Sequence, residues 1–530
     1  MDDPGAQVMK RVTRASGANA RPRLACPRAV LISVICAFAV GCNVGPKYRP
    51  PAIAAPPAFK ESPAQFKETD GWKVAQPEDA VLRGKWWEIY NDPELNALEE
   101  QLNIDNQNIK QAFENYMEAR SLVRQARSQL FPTVTLGPSY TRSQSSSNLA
   151  SQYQSATTTT TTTTPNNSQT QAIDLLAEAS WMPDLWGKVR NTIHSSQYNA
   201  QLSAADLENE RLTEQSSLAE YFFEIRGQDA LRKILDETVD ADQKALDIEQ
   251  SRYDTGVDDQ ISVVEAKTTL ESAKSNAINL GIARAQYEHA IAMLIGKQAS
   301  AFSIPVKPQL SAPPPIPVGL PSQLLERRPD IAGAERNMAA ANAQIDVAYA
   351  AYYPALTLSA QGGLESSTLK HLFDWPSRFW SVGPSVSETV YDGGLRRATV
   401  NQYIATYNAN LAAYRQSVLN AFQQVEDELA AVRILSQQIR HQQEAVDSAQ
   451  LQLKLELGRY DTGVDPYLDV VTAQTTLLSN QQTLANIQVQ QMTASVQLIE
   501  ALGGGWDRSQ LPTPAQVTQK PSSAETAIQK

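Results

Sequence analysis

Cysteine is nearly absent from this sequence: 530 residues contain three, Cys26, Cys36 and Cys42. Two of them fall in a segment that reads as a removable leader, so the remaining chain can form no internal disulfide. No run of eighteen or more apolar residues occurs, which excludes a bundle of membrane-spanning helices. A transmembrane β-barrel is not excluded, because its strands alternate apolar and polar residues and leave little trace on an averaged scale. Histidine is also scarce. His194, His289, His371 and His441 lack metal-ligand spacing, and no phosphate-binding loop is present. The reading is therefore not an enzyme, with no metal or diffusible cofactor. A basic excess is missing too: 46 Lys and Arg stand against 57 Asp and Glu. Nucleic-acid binding needs the opposite balance.

What is present begins with the leader. Lys10, Arg11, Arg14, Arg21, Arg23 and Arg28 form a basic region, followed by an apolar run from Ala29 to Gly41 that is too short to span a bilayer. Small residues then lead into Cys42, the position at which a bacterial lipoprotein signal is cut and acylated. Residues 1–41 are expected to be removed, and Cys42 to carry covalent lipid such as palmitate. Removal discards six basic and two acidic side chains and moves the net charge from −11 to −15. Met1 and Met9 are both possible starts.

The remainder is two copies of one unit. Arg252-Tyr253-Asp254-Thr255-Gly256-Val257-Asp258 returns, 207 residues later, as Arg459-Tyr460-Asp461-Thr462-Gly463-Val464-Asp465. At that offset Ala266 matches Ala473, and Thr268-Thr269-Leu270 matches Thr475-Thr476-Leu477. A threonine run, Thr157 to Thr164, reads as a longer polar loop in the first copy.

Four segments alternate with period two, one face apolar and one polar. Val134, Leu136 and Tyr140 oppose Thr133, Thr135 and Ser139; Ile173, Leu175, Ala177, Ala179 and Trp181 oppose Asp174, Leu176, Glu178 and Ser180. In the second copy Leu356 and Leu358 oppose Thr357 and Ser359, while Trp380, Val382, Val386 and Val390 oppose Ser381, Gly383, Ser385 and Ser387. These are expected to be membrane strands in two hairpins, 132–182 and 354–390. Polar backbone in lipid must pair completely, so such strands close into a barrel. Four are too few, since about eight is the minimum. The chain must oligomerise.

Residues 187–297 and 393–502 hold no proline except Pro466 and show heptad seams through Val470, Leu477, Leu484 and Leu498, and through Val263, Leu270, Ala277 and Ile291. Long paired helices are expected. Leu451, Leu453, Leu455 and Leu457 alternate like a strand, but their repeat partners do not, and both segments are read as helix. Gly256 and Gly463 suit left-handed helix ends, which makes the two repeated motifs the tips of helical hairpins.

Several further motifs carry a family resemblance. They include Cys42-Asn43-Val44-Gly45-Pro46-Lys47-Tyr48, Trp86-Trp87 with Asp92-Pro93-Glu94-Leu95, and Asp184-Leu185-Trp186-Gly187. Glu326-Arg327-Arg328-Pro329-Asp330-Ile331, Asp392-Gly393-Gly394 and the two tips complete the set. Together they resemble the outer-membrane efflux proteins of the TolC superfamily, in particular the NodT- and OprM-like lipoproteins of resistance-nodulation-division pumps. The resemblance implies a mainly α fold with a transmembrane β part: a long coiled-coil α-helical tunnel in the periplasm plus a trimeric 12-stranded β-barrel, four strands per chain. It implies a homotrimer in outer-membrane lipid, with a periplasmic membrane-fusion adaptor and an inner-membrane resistance-nodulation-division transporter as partners. The second tip would form the gate, with Arg459, Tyr460 and Asp461 as tethers and Asp465, Leu468, Asp469 and Thr472 near the constriction.

The expected organisation is a signal at 1–41, an anchored segment at 42–91, a first repeat at 92–310, a second at 311–505 and a disordered tail at 506–530. Asp174 and Glu178 would line the barrel lumen. The expected function is passive conduction of drugs or other small molecules. Export of metal cations, type I protein secretion, and a structural coiled-coil envelope lipoprotein are the alternatives.

Overall fold

The computed structural model describes residues 44–51, 55–56, 59–61, 84–144, 169–317 and 321–519. Cys42, the leader before it and the threonine run lie outside them. Helix α1 (Pro93–Asp105) starts at Asp92, whose side chain accepts from the backbone N–H groups of Glu94 and Leu95, with Pro93 at the first helical position. It leads into α2 (Gln107–Ser128), and the chain then enters β1 (Thr133–Gln144) and β2 (Gln169–Trp181). Helix α3 (Lys188–Asp254) and helix α4 (Gln260–Leu294) complete the first copy. The second repeats the order: a short α5 (Pro321–Arg327), α6 (Pro329–Ala350), β3 (Ala355–Ser366), β4 (Arg378–Ser387), α7 (Leu395–Asp461) and α8 (Tyr467–Ala501). Both α3 and α7 have 67 residues, which at 1.5 Å per residue is roughly 100 Å. The four-leucine stretch at 451–457 is helical, within α7.

The four strands form one antiparallel sheet in the order β1-β2-β3-β4. Its register keeps the two faces chemically distinct. Val134, Ala179, Ala360 and Val382 share a row, as do Leu136, Ala177, Gly362 and Trp380; the alternate row carries Thr135, Glu178, Gln361 and Ser381. Among the described residues nothing covers the apolar face: Val134, Leu136, Trp380, Val382 and Val386 are all at least 68% exposed. Strands β1 and β4 are open edges. One expectation needs correction. β4 ends at Ser387, whose partner Ala355 is the first residue of β3, so the ladder runs out there. Val390 lies beyond it, where Arg396 instead bonds Glu388 and the Thr389 carbonyl.

Helices pack where the strands do not. Trp86, Leu95, Leu102, Leu218, Phe222, Ile225 and Ile291 form the largest core, joining α1, α3 and α4 below the sheet. Leu324, Met338, Val418, Val425 and Leu498 form its counterpart among α5 to α8. The tail is a second correction. Residues 506–519 are ordered: Thr513 and Gln516 form a capping box at α9 (Pro514–Thr518). Val517 is fully buried against Tyr116, Met117, Val123 and Ala204. Arg120 and Gln201 donate to the carbonyls of Gln519 and Pro512. One valine and several backbone acceptors dock a segment whose composition alone reads as disorder. Residues 520–530 lie outside the described set.

Candidate functional site

The two hairpin tips are built by the same local chemistry. In the first, the Val257 N–H donates to the Arg252 carbonyl at 2.9 Å and the Gly256 N–H to the Tyr253 carbonyl at 2.9 Å. In the second, Val464 and Gly463 repeat those bonds to Arg459 and Tyr460 at 3.0 and 2.9 Å. This pair of bonds is the Schellman closure, and it needs a left-handed residue. Gly256 and Gly463 supply it, with φ of 70° and 73°. The restart differs. Asp259 caps α4 by accepting from the Ile261 and Ser262 N–H groups, whereas Pro466 precedes α8 with no side-chain cap.

Around these equivalent turns the side chains diverge. Tyr460 is buried, packed with Tyr467, Val470 and Ala266, and its hydroxyl donates to Glu249 on α3. The Arg252 guanidinium lies 4.6 Å from the Tyr460 ring centroid, within cation–π range. Gln474 on α8 donates to Asp242 on α3 at 2.6 Å. The second hairpin is thus held against the first by one hydroxyl, one amide and one stacked cation. Burial pushes the Glu249 carboxyl up, opposed by the Tyr460 hydrogen bond and reinforced by nearby Asp258. Burial pushes Asp242 up to about 6, opposed by its bond from Gln474. Tyr467, also buried, is pushed up to about 12.

The residues singled out from sequence are distributed as follows. Arg252 and Tyr460 meet across the two hairpins. Arg459 does not cross. It pairs with Asp465 inside its own tip, donating through Nη2 at 2.9 Å, and this holds the Asp465 carboxyl below the usual carboxylate range. Asp461 is exposed and makes no side-chain bond to the described residues of this chain. Tyr253 is 42% exposed, and Asp254 accepts from Gln250 one turn earlier. Leu468, Asp469 and Thr472 are exposed, and with Asp465 they fall at the three- and four-residue spacing of one helical stripe at the start of α8.

Glu249, Asp242 and Gln474 were not legible as site residues in the sequence. One signal existed: Glu249 and Glu456 are equivalent at the 207-residue offset, so the acid belongs to the repeated unit.

At the other end of the molecule, Asp174 and Glu178 lie on the polar face of the sheet, Asp174 accepting from Ser139 at 2.9 Å. Glu365 is the cross-strand partner of Asp174 and adds a third carboxylate to that face. It belongs to the same alternation, one residue beyond Leu364.

Three comparisons bear on what such a molecule is. The family model described as outer membrane efflux protein matches residues 98–297 and 320–504. The solvent efflux pump outer membrane protein SrpC of Pseudomonas putida is 30% identical over 471 residues, which cover 89% of this chain and 97% of that protein. The pyoverdine export outer membrane protein OpmQ of Pseudomonas aeruginosa is 27% identical over 451 residues, covering 84% and 91%. Among solved structures, the outer-membrane channel OprN superposes with a TM-score of 0.76 at 27% identity, over 88% of this chain and 100% of that one.

Proposed function

The chain belongs to the outer membrane efflux protein family, and from that membership we propose that three copies close one lipid-anchored duct gated at its helical tips. The protein is an outer-membrane channel component of an efflux system.

The observation that carries the assembly is the sheet: four strands, two open edges and an uncovered apolar face. Unpaired edge backbone cannot remain in lipid, and three such sheets make twelve strands, a size that closes. The helices repeat the logic. α4 leaves Ile261, Val264, Ile278 and Ile282 exposed, and α7 leaves Leu451 and Leu455 exposed. Each is an edge helix awaiting the neighbouring copy, a head-to-tail contact that forms a ring when the rotation closes.

A strap along α6 supports the anchor. Gly45 lies against Asp346, the Pro46 carbonyl accepts from Asn342 at 3.1 Å, and Tyr48 donates to Glu335. Residues 45 to 48 therefore run down α6, away from the sheet, and Cys42 comes three residues before Gly45 in the sequence. Three residues reach at most about 10 Å, and four residues of helix from Asp346 to Ala350 rise about 6 Å. A chain of three residues is long enough to cover that rise, which supports a lipid on Cys42 as the anchor.

Conduction in this reading is passive. An inner-membrane resistance-nodulation-division transporter supplies the work, a periplasmic adaptor joins it to the tips, and drugs, solvents or other small molecules pass through. Opening moves the second hairpin off the first, breaking the Tyr460–Glu249 and Gln474–Asp242 bonds. Asp174, Glu178 and Glu365 line the lumen and favour cations. Purified full-length protein in detergent should have the mass of three chains and give steps of conductance in planar bilayers. A monomer that stays in water without detergent, and conducts nothing, would overturn the proposal.

A further inference from the structure

Charge in the sheet is segregated by sign. All four strands join their helices at one end, so the opposite end, with the β1–β2 and β3–β4 connections, is the distal rim. The carboxylates Asp174, Glu178 and Glu365 sit in the polar phase. Arg142 and Arg378 do not. Arg142 shares the phase of Val134, Leu136 and Tyr140 on β1, two residues from that strand's end. Arg378 opens β4 and pairs with Leu364, in the phase of Trp380 and Val382. Two cations on the apolar face are costly at a bilayer midplane, by about 2–4 kcal/mol each, and nearly free at its interfaces. Their place at the rim is where the cost disappears.

The β3–β4 connection adds to them. Leu372, 4% exposed, anchors it, while Leu369, Phe373 and Trp375 are 67%, 70% and 76% exposed. Lys370 is exposed beside them. The Arg378 guanidinium stacks 4.1 Å from the Trp375 ring centroid. The acid in this connection, Asp374, is engaged by His371 at 2.7 Å. Neither Lys370 nor Arg378 has a carboxylate partner among the described residues. In a chain of net charge −11, a group of bases beside exposed apolar rings, continuous with the lipid-facing surface, has one complementary partner: an amphiphile with an anionic head.

We propose that this distal rim binds lipids with phosphorylated headgroups, Lys370 and Arg378 meeting one phosphate while Leu369, Phe373 and Trp375 enter the apolar layer beneath it, and Arg142, three strands away on β1, meeting another. The site rests on the barrel reading above. A lysine or arginine at an anionic membrane surface contributes about fivefold in affinity, about 1 kcal/mol.

The test reconstitutes full-length protein in phosphatidylcholine bilayers containing a minor fraction of phosphatidic acid. The protein is re-extracted with its bound lipid, and the ratio of the two lipids is measured by mass. Wild type should retain phosphatidic acid several-fold above its bulk fraction. Arg142→Gln/Lys370→Gln/Arg378→Gln should fall to the bulk fraction, and Lys454→Gln, on the tunnel helix α7, should not. Equal enrichment in wild type and the triple variant would overturn the proposal. So would full displacement of the lipid by millimolar inorganic phosphate, which would leave a phosphate site and no lipid site. Conductance recorded from the same samples separates the two readings: wild type that fails to conduct counts against the barrel, whereas a conducting triple variant with unchanged lipid counts against the rim. If the triple variant does not insert, Lys370→Gln and Arg378→Gln singly should each lower the enrichment part of the way toward the bulk fraction, and no change in either would overturn it.

Discussion

The two helical tips carry the same seven residues and end up in different surroundings. Tyr460 is 6% exposed and Tyr253 is 42% exposed, although each is the second residue of its motif. The turn is local: two backbone bonds and a left-handed glycine build it wherever the motif occurs. The environment is not local. Tyr460 finds Glu249 because the second hairpin leans on α3, while among the described residues nothing leans on the first hairpin in the equivalent way. Duplication thus supplied identical parts, and the packing of one copy on the other buried one of them against α3.

The largest expected effect separates the two tyrosines. Tyr460→Ala removes a buried ring and strands Glu249, whose Oε2 already lacks a partner. Losses of buried aromatic rings run to about 3–5 kcal/mol, so basal conductance in planar bilayers should rise at least a hundredfold, about 2.7 kcal/mol of gate closure. Tyr253→Ala should change it less than threefold. The comparison breaks if the two variants match. Glu456 holds the place in α7 that Glu249 holds in α3, and a matched result would mean that Tyr253 finds Glu456 of a neighbouring chain when the ring closes.

The glycines should behave alike where the tyrosines differ. Gly256→Ala and Gly463→Ala each force a Cβ into a left-handed conformation, at about 1–2 kcal/mol. Native-state hydrogen exchange of the tip amides should report similar loosening in both. A large difference would show that the turns are not locally determined.

These contrasts follow what could be read from the chain alone. The repeat, the strand phases and the helix pairs were legible because each rests on periodicity within a short window. Glu249 and Asp242 were not, because a carboxylate among the many on α3 becomes a latch partner only when α7 and α8 are laid beside it. The docked tail was hidden for the same reason: Val517 is one apolar residue in a polar stretch, and its burial depends on a groove between α2 and α3. Arg459, expected as a tether, pairs within its own chain with Asp465, six residues on.

A smaller effect concerns pH. Asp242 is held up to about 6 by burial, above the roughly 3.9 of a free carboxyl. Its charged form is therefore disfavoured in the closed tip, and closure should strengthen as pH falls from 7 through 6 toward 4. Repeat equivalence makes this one-sided, since Ala449 stands where Asp242 would recur. Basal conductance should drop several-fold between pH 7 and pH 5, and Asp242→Asn should flatten that dependence. An unchanged pH profile in the variant would assign the effect to Glu249 instead.

The smallest effect is expected at the third motif position. Asp461 and Asp254 both stand at the exposed ends of their helices, and Asp461 has no side-chain bond to the described residues of its own chain. An exposed charge of this kind contributes within about 0.5 kcal/mol. Asp461→Ala and Asp254→Ala should therefore leave the thermal midpoint of the detergent-solubilised protein within about 1–2 °C of wild type. Conductance adds a sharper reading. If Asp461→Ala opens the channel at an unchanged midpoint, its partner lies on the neighbouring copy, because a bond inside the chain would have shown itself in both measurements. Closure that persists in Asp461→Ala while failing in Tyr460→Ala would leave the latch inside the chain.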